Sequence, residues 1–174
     1  MSHVLGTRAV IEGYASVFGV PDLSGDVVRR GAFGGLIPAR VGRVRMLAQH
    51  AAEAPVGRWV RMEEDAHGLK VRGEVFTDTS AGRDLHRLLR GGALDGLSIG
   101  FKPVRARRTR TGREILEADL WEVSIVTFPM APGARIHLVG DEVGARTTFV
   151  GDGVAGGDEE MASRPPRDLL RGKA

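Results

Sequence analysis

The chain has 174 residues, 42% of them hydrophobic, and its 25 Lys and Arg against 22 Asp and Glu give a formal net charge of +3. That length suits one domain with a tail, and the mixed composition excludes a fibrous or wholly disordered chain. There is no cysteine, which excludes disulfides and thiolate metal sites, and no apolar run nears the roughly 18 residues of a membrane-spanning helix.

The opening "MSHVLGTRAV" lacks the apolar stretch and the cleavage site of a signal peptide, so a soluble intracellular protein is expected. "RAVIEGYASVFG" (8–19) is β-branched and aromatic and bounded by glycine, which predicts a strand. "DLSGDVVRRGAF" (22–33) reads as a turn and a short strand, with one helical turn over 32–37 stopped by Pro38. "VRMLAQH" (44–50) predicts a strand with Met46, Ala48 and His50 on one face. "PVGRWVRMEED" and the alternating "HGLKVRGEVF" predict a hairpin turning near Gly68.

"TSAGRDLHRLLRGG" (79–92) predicts the best helix. Thr79 or Ser80 caps it, Leu85, Leu88 and Leu89 fall at helical spacing, and Gly91-Gly92 ends it. "GLSIGFKPV" and "EILEADLWEVSIVTF" predict two strands, and "ARIHLV" a short last one. Residues 140–174 shift to Gly, Asp, Glu and Arg and are expected to be a flexible tail with a brief helix near 168–171. The fold class is therefore mainly β with flanking helices, a strongly bent sheet or a closed barrel.

Two motifs stand out. "KPVRARRTRTGR" (102–113) holds six positive residues and no acid, with Thr111-Gly112 as a turn. A solvated hairpin is expected there; Arg105, Arg107, Arg108, Arg110 and Arg113 are also candidates for nucleic acid or an acidic protein partner. The other motif is "LDGLSIGF" (94–101), in which Gly96, Ser98 and Gly100 fit G-x-S-x-G. The strand–turn–helix of an α/β-hydrolase is excluded, because Phe101-Lys102-Pro103 opposes a helix and no βαβ alternation exists. On a strand instead, Leu97, Ile99 and Phe101 face a core while Gly96, Ser98 and Gly100 form a face without bulk.

A serine nucleophile needs a base oriented by a third group. Of the five histidines, His3 is terminal, His67 lies in an acidic turn, His86 sits on the helix and His137 is near the last strand. His50 leaves a strand into a loop, from which it can reach across a sheet. Glu122 shares a strand face with Leu120, Ser124, Val126 and Phe128, where a carboxylate is costly unless paired.

The blocks "GYASVFGVPDLSGDVVRRGAF", "VRMLAQH" with "PVGRW", "GLKVRGEVF", "LLRGGALDGLSIGF" and "LWEVSIVTFPMAPGARI" resemble the prohead, or capsid-maturation, proteases of tailed bacteriophages, relatives of the herpesvirus assembly proteases. The resemblance runs from about residue 11 to 136. It implies a protease domain over 1–139, a barrel-like sheet wrapped by helices, Ser98 as nucleophile and His50 as general base. Glu122 stands in the strand of the third member, with Asp119 and Asp95 as competitors, and "PMAPGAR" (129–135) is a candidate oxyanion loop.

The function implied is a serine endopeptidase that trims the scaffolding segment of the major capsid protein, and other internal proteins, inside the procapsid in the host cytoplasm. Cleavage of its own tail is a further expectation. The implied partners are that capsid protein, the portal and other internal procapsid proteins, and a second copy of the chain as a homodimer; no membrane, metal or organic cofactor is called for. An inert assembly or scaffold protein on the same fold, and a nucleic-acid module using the arginine loop, are the alternatives.

Overall fold

Alternation of apolar and charged residues puts about half of the described residues into one eight-stranded sheet. The computed structural model describes residues 8–34 and 40–142. In chain order the strands are β1 (Arg8–Val17), β2 (Val27–Val28), β3 (Arg45–Ala48), β4 (Pro55–Glu64) and β5 (Gly68–Phe76), then β6 (Gly96–Arg108), β7 (Arg113–Val126) and β8 (Ile136–Glu142). The sheet runs β2-β7-β3-β4-β5-β1-β8, with β6 paired to β7 off that path. It stays open, so the closed barrel is not formed.

β5 shows why these residues make strands. Leu69, Val71 and Val75 are buried while Lys70, Arg72 and Glu74 point the other way, the period of two that one-sided burial requires. In β4 the buried residues are instead Val56, Trp59 and Met62, a spacing of three. Two register shifts account for it, one against β3 between Pro55 and Gly57 and one against β5 between Trp59 and Arg61, since each extra residue moves the next side chain to the other face. The two strands join through Asp65, whose Oδ1 accepts from the N–H groups of His67 and Gly68.

Among the described residues, the helices are α1 (Ser80–Arg90) and a three-residue 3-10 turn at Val41–Arg43. Thr79 caps α1 by accepting from Gly82 N at 3.0 Å, and Gly92, at φ 70°, follows its end. Leu85 and Leu89 are buried, each contributing roughly 1.5–3 kcal/mol. Leu88 is largely exposed, on the flank of the stripe rather than in it. Residues 31–34 form turns, while 35–39, the rest of the expected helical turn, lie outside the described residues.

β8 pairs with β1 through Glu142, opposite Arg8. Ordered strand thus continues past Gly140, where the change in composition suggested the tail; residues 143–174, including the expected helix near 168–171, lie outside the described residues. No helix among the described residues is long and apolar enough to cross a membrane.

Candidate active site

β7 is the spine of the site. Along one edge it pairs antiparallel with β6, placing Ser98 opposite Ser124 and Gly100 opposite Glu122. Along the other it pairs parallel with β3, placing Arg45 beside Glu122 and Ala48 beside Ile125. Three adjacent strands therefore bring His50, Glu122 and Ser98 to one region, although 24 and 48 residues separate them in sequence.

β3 ends at Ala48, two residues short of His50, where the predicted strand ended. Gln49 and His50 both adopt left-handed backbone, at φ 52° and 60°. For residues other than glycine this costs roughly 1–2 kcal/mol each, so the surroundings must hold the turn. They do: Gln49 N donates to Ile125 O at 2.9 Å, and Gln49 Nε2 donates to Thr127 Oγ1 at 2.7 Å. The turn lifts the His50 ring off the strand and over β7.

There His50 Nδ1 lies 2.8 Å from Glu122 Oε1. A carboxylate can only accept, so Nδ1 carries the proton and the lone pair is left on Nε2. The second carboxylate oxygen, Oε2, accepts from Ser124 Oγ at 2.5 Å. Ser124 is wholly buried, Glu122 is 15% exposed and His50 is 48% exposed. Ser124 from its own strand face and His50 from the turn after β3 thus give Glu122 one partner per oxygen. The bare surface at Gly100 is filled by Glu122 itself, which lies against the glycine so closely that a Cβ there would strike the carboxylate.

Ser98 is 4% exposed and lines a cleft of about 290 Å³. The cleft walls include Ala15, Val17, Phe101, Met130 and Ala131, and its polar end holds Asp22 and Asp26. Among the described residues, no hydrogen bond reaches the Ser98 hydroxyl, and neither His50 nor Glu122 lines the cleft. The loop 129–135 forms part of this wall, anchored by Leu97 N donating to Ala134 O.

The competing residues are engaged elsewhere. Asp119 accepts from Arg40 and from Trp121 Nε1, both at 2.9 Å, and Asp95 accepts from Arg135. His67 packs edge-on to Tyr14, 4.5 Å between ring centres, and His137 lies on the same tyrosine. His86 Nε2 is buried 3.2 Å from Asp141 without hydrogen-bond geometry. His3 lies outside the described residues. Among the described residues no cluster of three His, Asp or Glu side chains is arranged to hold a metal.

Ser124 and Gly100 escaped the sequence reading as parts of the site. Ser124 was legible in principle, because a residue two past Glu122 on a strand shares its face. Gly100 was not, because only the cross-strand register puts it under the carboxylate.

Comparison with known proteins agrees with this architecture. The chain is 35% identical over 146 residues to the prohead protease of Enterobacteria phage HK97, covering 82% of this chain and 65% of that protein. The chain thus spans about two thirds of its relative's length. Its fold is that of the herpesvirus proteases. KSHV protease, solved with a hexapeptide phosphonate inhibitor, superposes with TM-score 0.56 at 14% identity, over 76% of this chain and 65% of that one. Varicella-zoster virus protease superposes with TM-score 0.52 at 14% identity, over 76% and 64%. Residues 2–147 match the family model of the caudovirus prohead serine proteases. The chain belongs to that family.

Proposed function

We propose that the chain is the capsid-maturation endopeptidase of a tailed phage or a particle derived from one, with Ser98 as nucleophile, His50 as general base and Glu122 as the orienting carboxylate. The observation that carries this reading is the Glu122–His50 contact, held on the strand that pairs with the strand of Ser98. Ser98 Oγ attacks the scissile carbonyl while its proton passes to His50 Nε2. The same proton then goes to the leaving amine, and water repeats the sequence to release the acyl group. Glu122 holds the ring in the reactive tautomer and stabilises the cation. In an empty site the serine–histidine contact is often long and closes when substrate binds.

The cleft beside Ser98 receives a substrate side chain next to the scissile bond. The substrate is the scaffolding segment of the major capsid protein, with other internal procapsid proteins, and the protease domain includes the whole of β8, to Glu142 rather than to 139. Self-cleavage past Gly140 fits the change of composition there and is read by intact mass of the active enzyme: a full-length product after complete turnover excludes it.

The deciding experiment is co-expression with the coat protein of the same genome, wild type beside Ser98→Ala. Shortening by wild type alone supports the proposal. No shortening by either favours an inert assembly protein on this fold, and shortening by both places the protease elsewhere.

A further inference from the structure

The arginine hairpin is not an isolated surface feature. The tip of β6 and β7 is clamped to the loop 22–26, where a Cβ on Gly25 would meet Thr111 O and one on Gly112 would meet Gly25 O. Asp26, buried beneath, accepts from Arg113 Nη2 at 2.5 Å and from Nε at 3.0 Å. The same loop forms the polar end of the cleft beside Ser98. A second hollow, lined by Ser24, Asp26, Arg108, Thr109, Gly112 and Arg113, shares three of those residues with the first. The two hollows therefore share a wall, and side by side they make a trough with Ser98 at one end and Arg108 at the other.

Three of the six cations between Lys102 and Arg113 are committed. Glu114 is held by Arg29 and Arg107, Asp26 by Arg113, and Glu117 lies 3.8 Å from Arg105. Arg108 and Arg110 are exposed and have no ion pair among the described residues. Two local charges suit one or two carboxylates. They are too few for a nucleic acid, which presents a phosphate about every 1.7 Å of duplex axis. The hairpin also lacks the aromatic platforms that single strands stack on.

We propose that Arg108, which lines the second hollow, and Arg110, two residues on at the exposed hairpin tip, form a remote specificity site that binds an acidic stretch of a polypeptide lying along this trough. Ten positions of β6 separate Ser98 from Arg108, so the acidic stretch sits at most roughly 30 Å from the scissile bond. This deepens the protease reading and rests on it for the catalytic consequence, but the binding itself does not require turnover.

The test uses the full chain carrying Ser98→Ala and fluorescein-labelled oligoglutamate, oligoglutamine and single-stranded DNA of matched length, followed by anisotropy. The glutamate peptide is expected to bind at least roughly tenfold tighter than the glutamine one, as charge-assisted hydrogen bonds predict. Adding Arg108→Ala and Arg110→Ala should abolish that preference without moving the melting temperature. Equal binding of the two peptides, a preference that survives both substitutions, or DNA binding more tightly than oligoglutamate would each overturn the proposal. In the Ser98 protein, oligoglutamate should raise KM for coat-protein cleavage and leave kcat unchanged; a KM that does not move also overturns it. If the coat protein is never cut, the protease reading fails while anisotropy still decides the binding site.

Discussion

Gly100 and Glu122 face each other across the β6–β7 ladder, and the glutamate side chain occupies the volume that any Cβ at position 100 would need. Gly100→Ala should therefore push the carboxylate off His50 rather than unfold the sheet, because the clashing group is a side chain that can rotate away. The expected result is a fall in kcat of about 10²-fold or more, bounded by the ~10⁴ typical of losing the orienting carboxylate, with KM little changed. Steady-state kinetics beside a thermal melt check it; full activity in a folded Gly100→Ala protein would remove Glu122 from the mechanism.

Glu122→Gln keeps the shape and the Ser124 bond but can offer His50 an amide in place of a carboxylate. The wrong tautomer then becomes accessible, and kcat should drop by about 10⁴. A loss below tenfold, measured on the same coat-protein substrate, would return the third role to Asp119 or Asp95.

Ser124 holds Glu122 from the other side, with Oγ 2.5 Å from Oε2. Removing that donor should cost about 1 kcal/mol in stability and lower kcat roughly tenfold, while Ser124→Thr, which keeps the hydroxyl, should recover part of the rate. Unchanged kcat in Ser124→Ala, with only the melt affected, would make Ser124 a packing residue.

Gly25 sits at φ 85° with its hydrogen against Thr111 O. Alanine there adds left-handed strain to a backbone clash, for a loss of about 2–4 kcal/mol in urea unfolding. Because the loop 22–26 lines the cleft, KM should rise as well. A neutral Gly25→Ala would mean that the loop and the hairpin are free to part.

Three carboxylates carry lowered pKa values. Two arginines, Arg29 and then Arg107, hold Glu114 down; the Tyr14 hydroxyl does so for Asp65, and Arg72 for Glu12. Each binds a proton less readily folded than unfolded, so its contribution is complete above about pH 4.3 and is lost as pH falls through the folded values. The melting temperature should hold between about pH 7 and 5 and decline below about pH 4, with a shallower decline in Glu114→Gln. Identical acid limbs for the two proteins would contradict the assignment.

The sequence by itself determined the strands, the helix and its caps, because alternation, helical spacing and end signals are local properties of neighbouring residues. It also offered His50, Ser98 and Glu122 as candidates by the chemistry each residue type can do, and the family resemblance gave them their roles. It could not say that β3 ends at Ala48, since the left-handed turn at Gln49 and His50 is held by Ile125 and Thr127 from a strand more than 70 residues away. The choice of Glu122 over Asp119 and Asp95 came through the resemblance alone, because which donor reaches which carboxylate is set by tertiary packing. The sheet stayed open, and the arginine loop was joined to the cleft through Gly25 and Gly112, for the same reason. Strand order and register are relations between distant segments, and only tertiary packing fixes them.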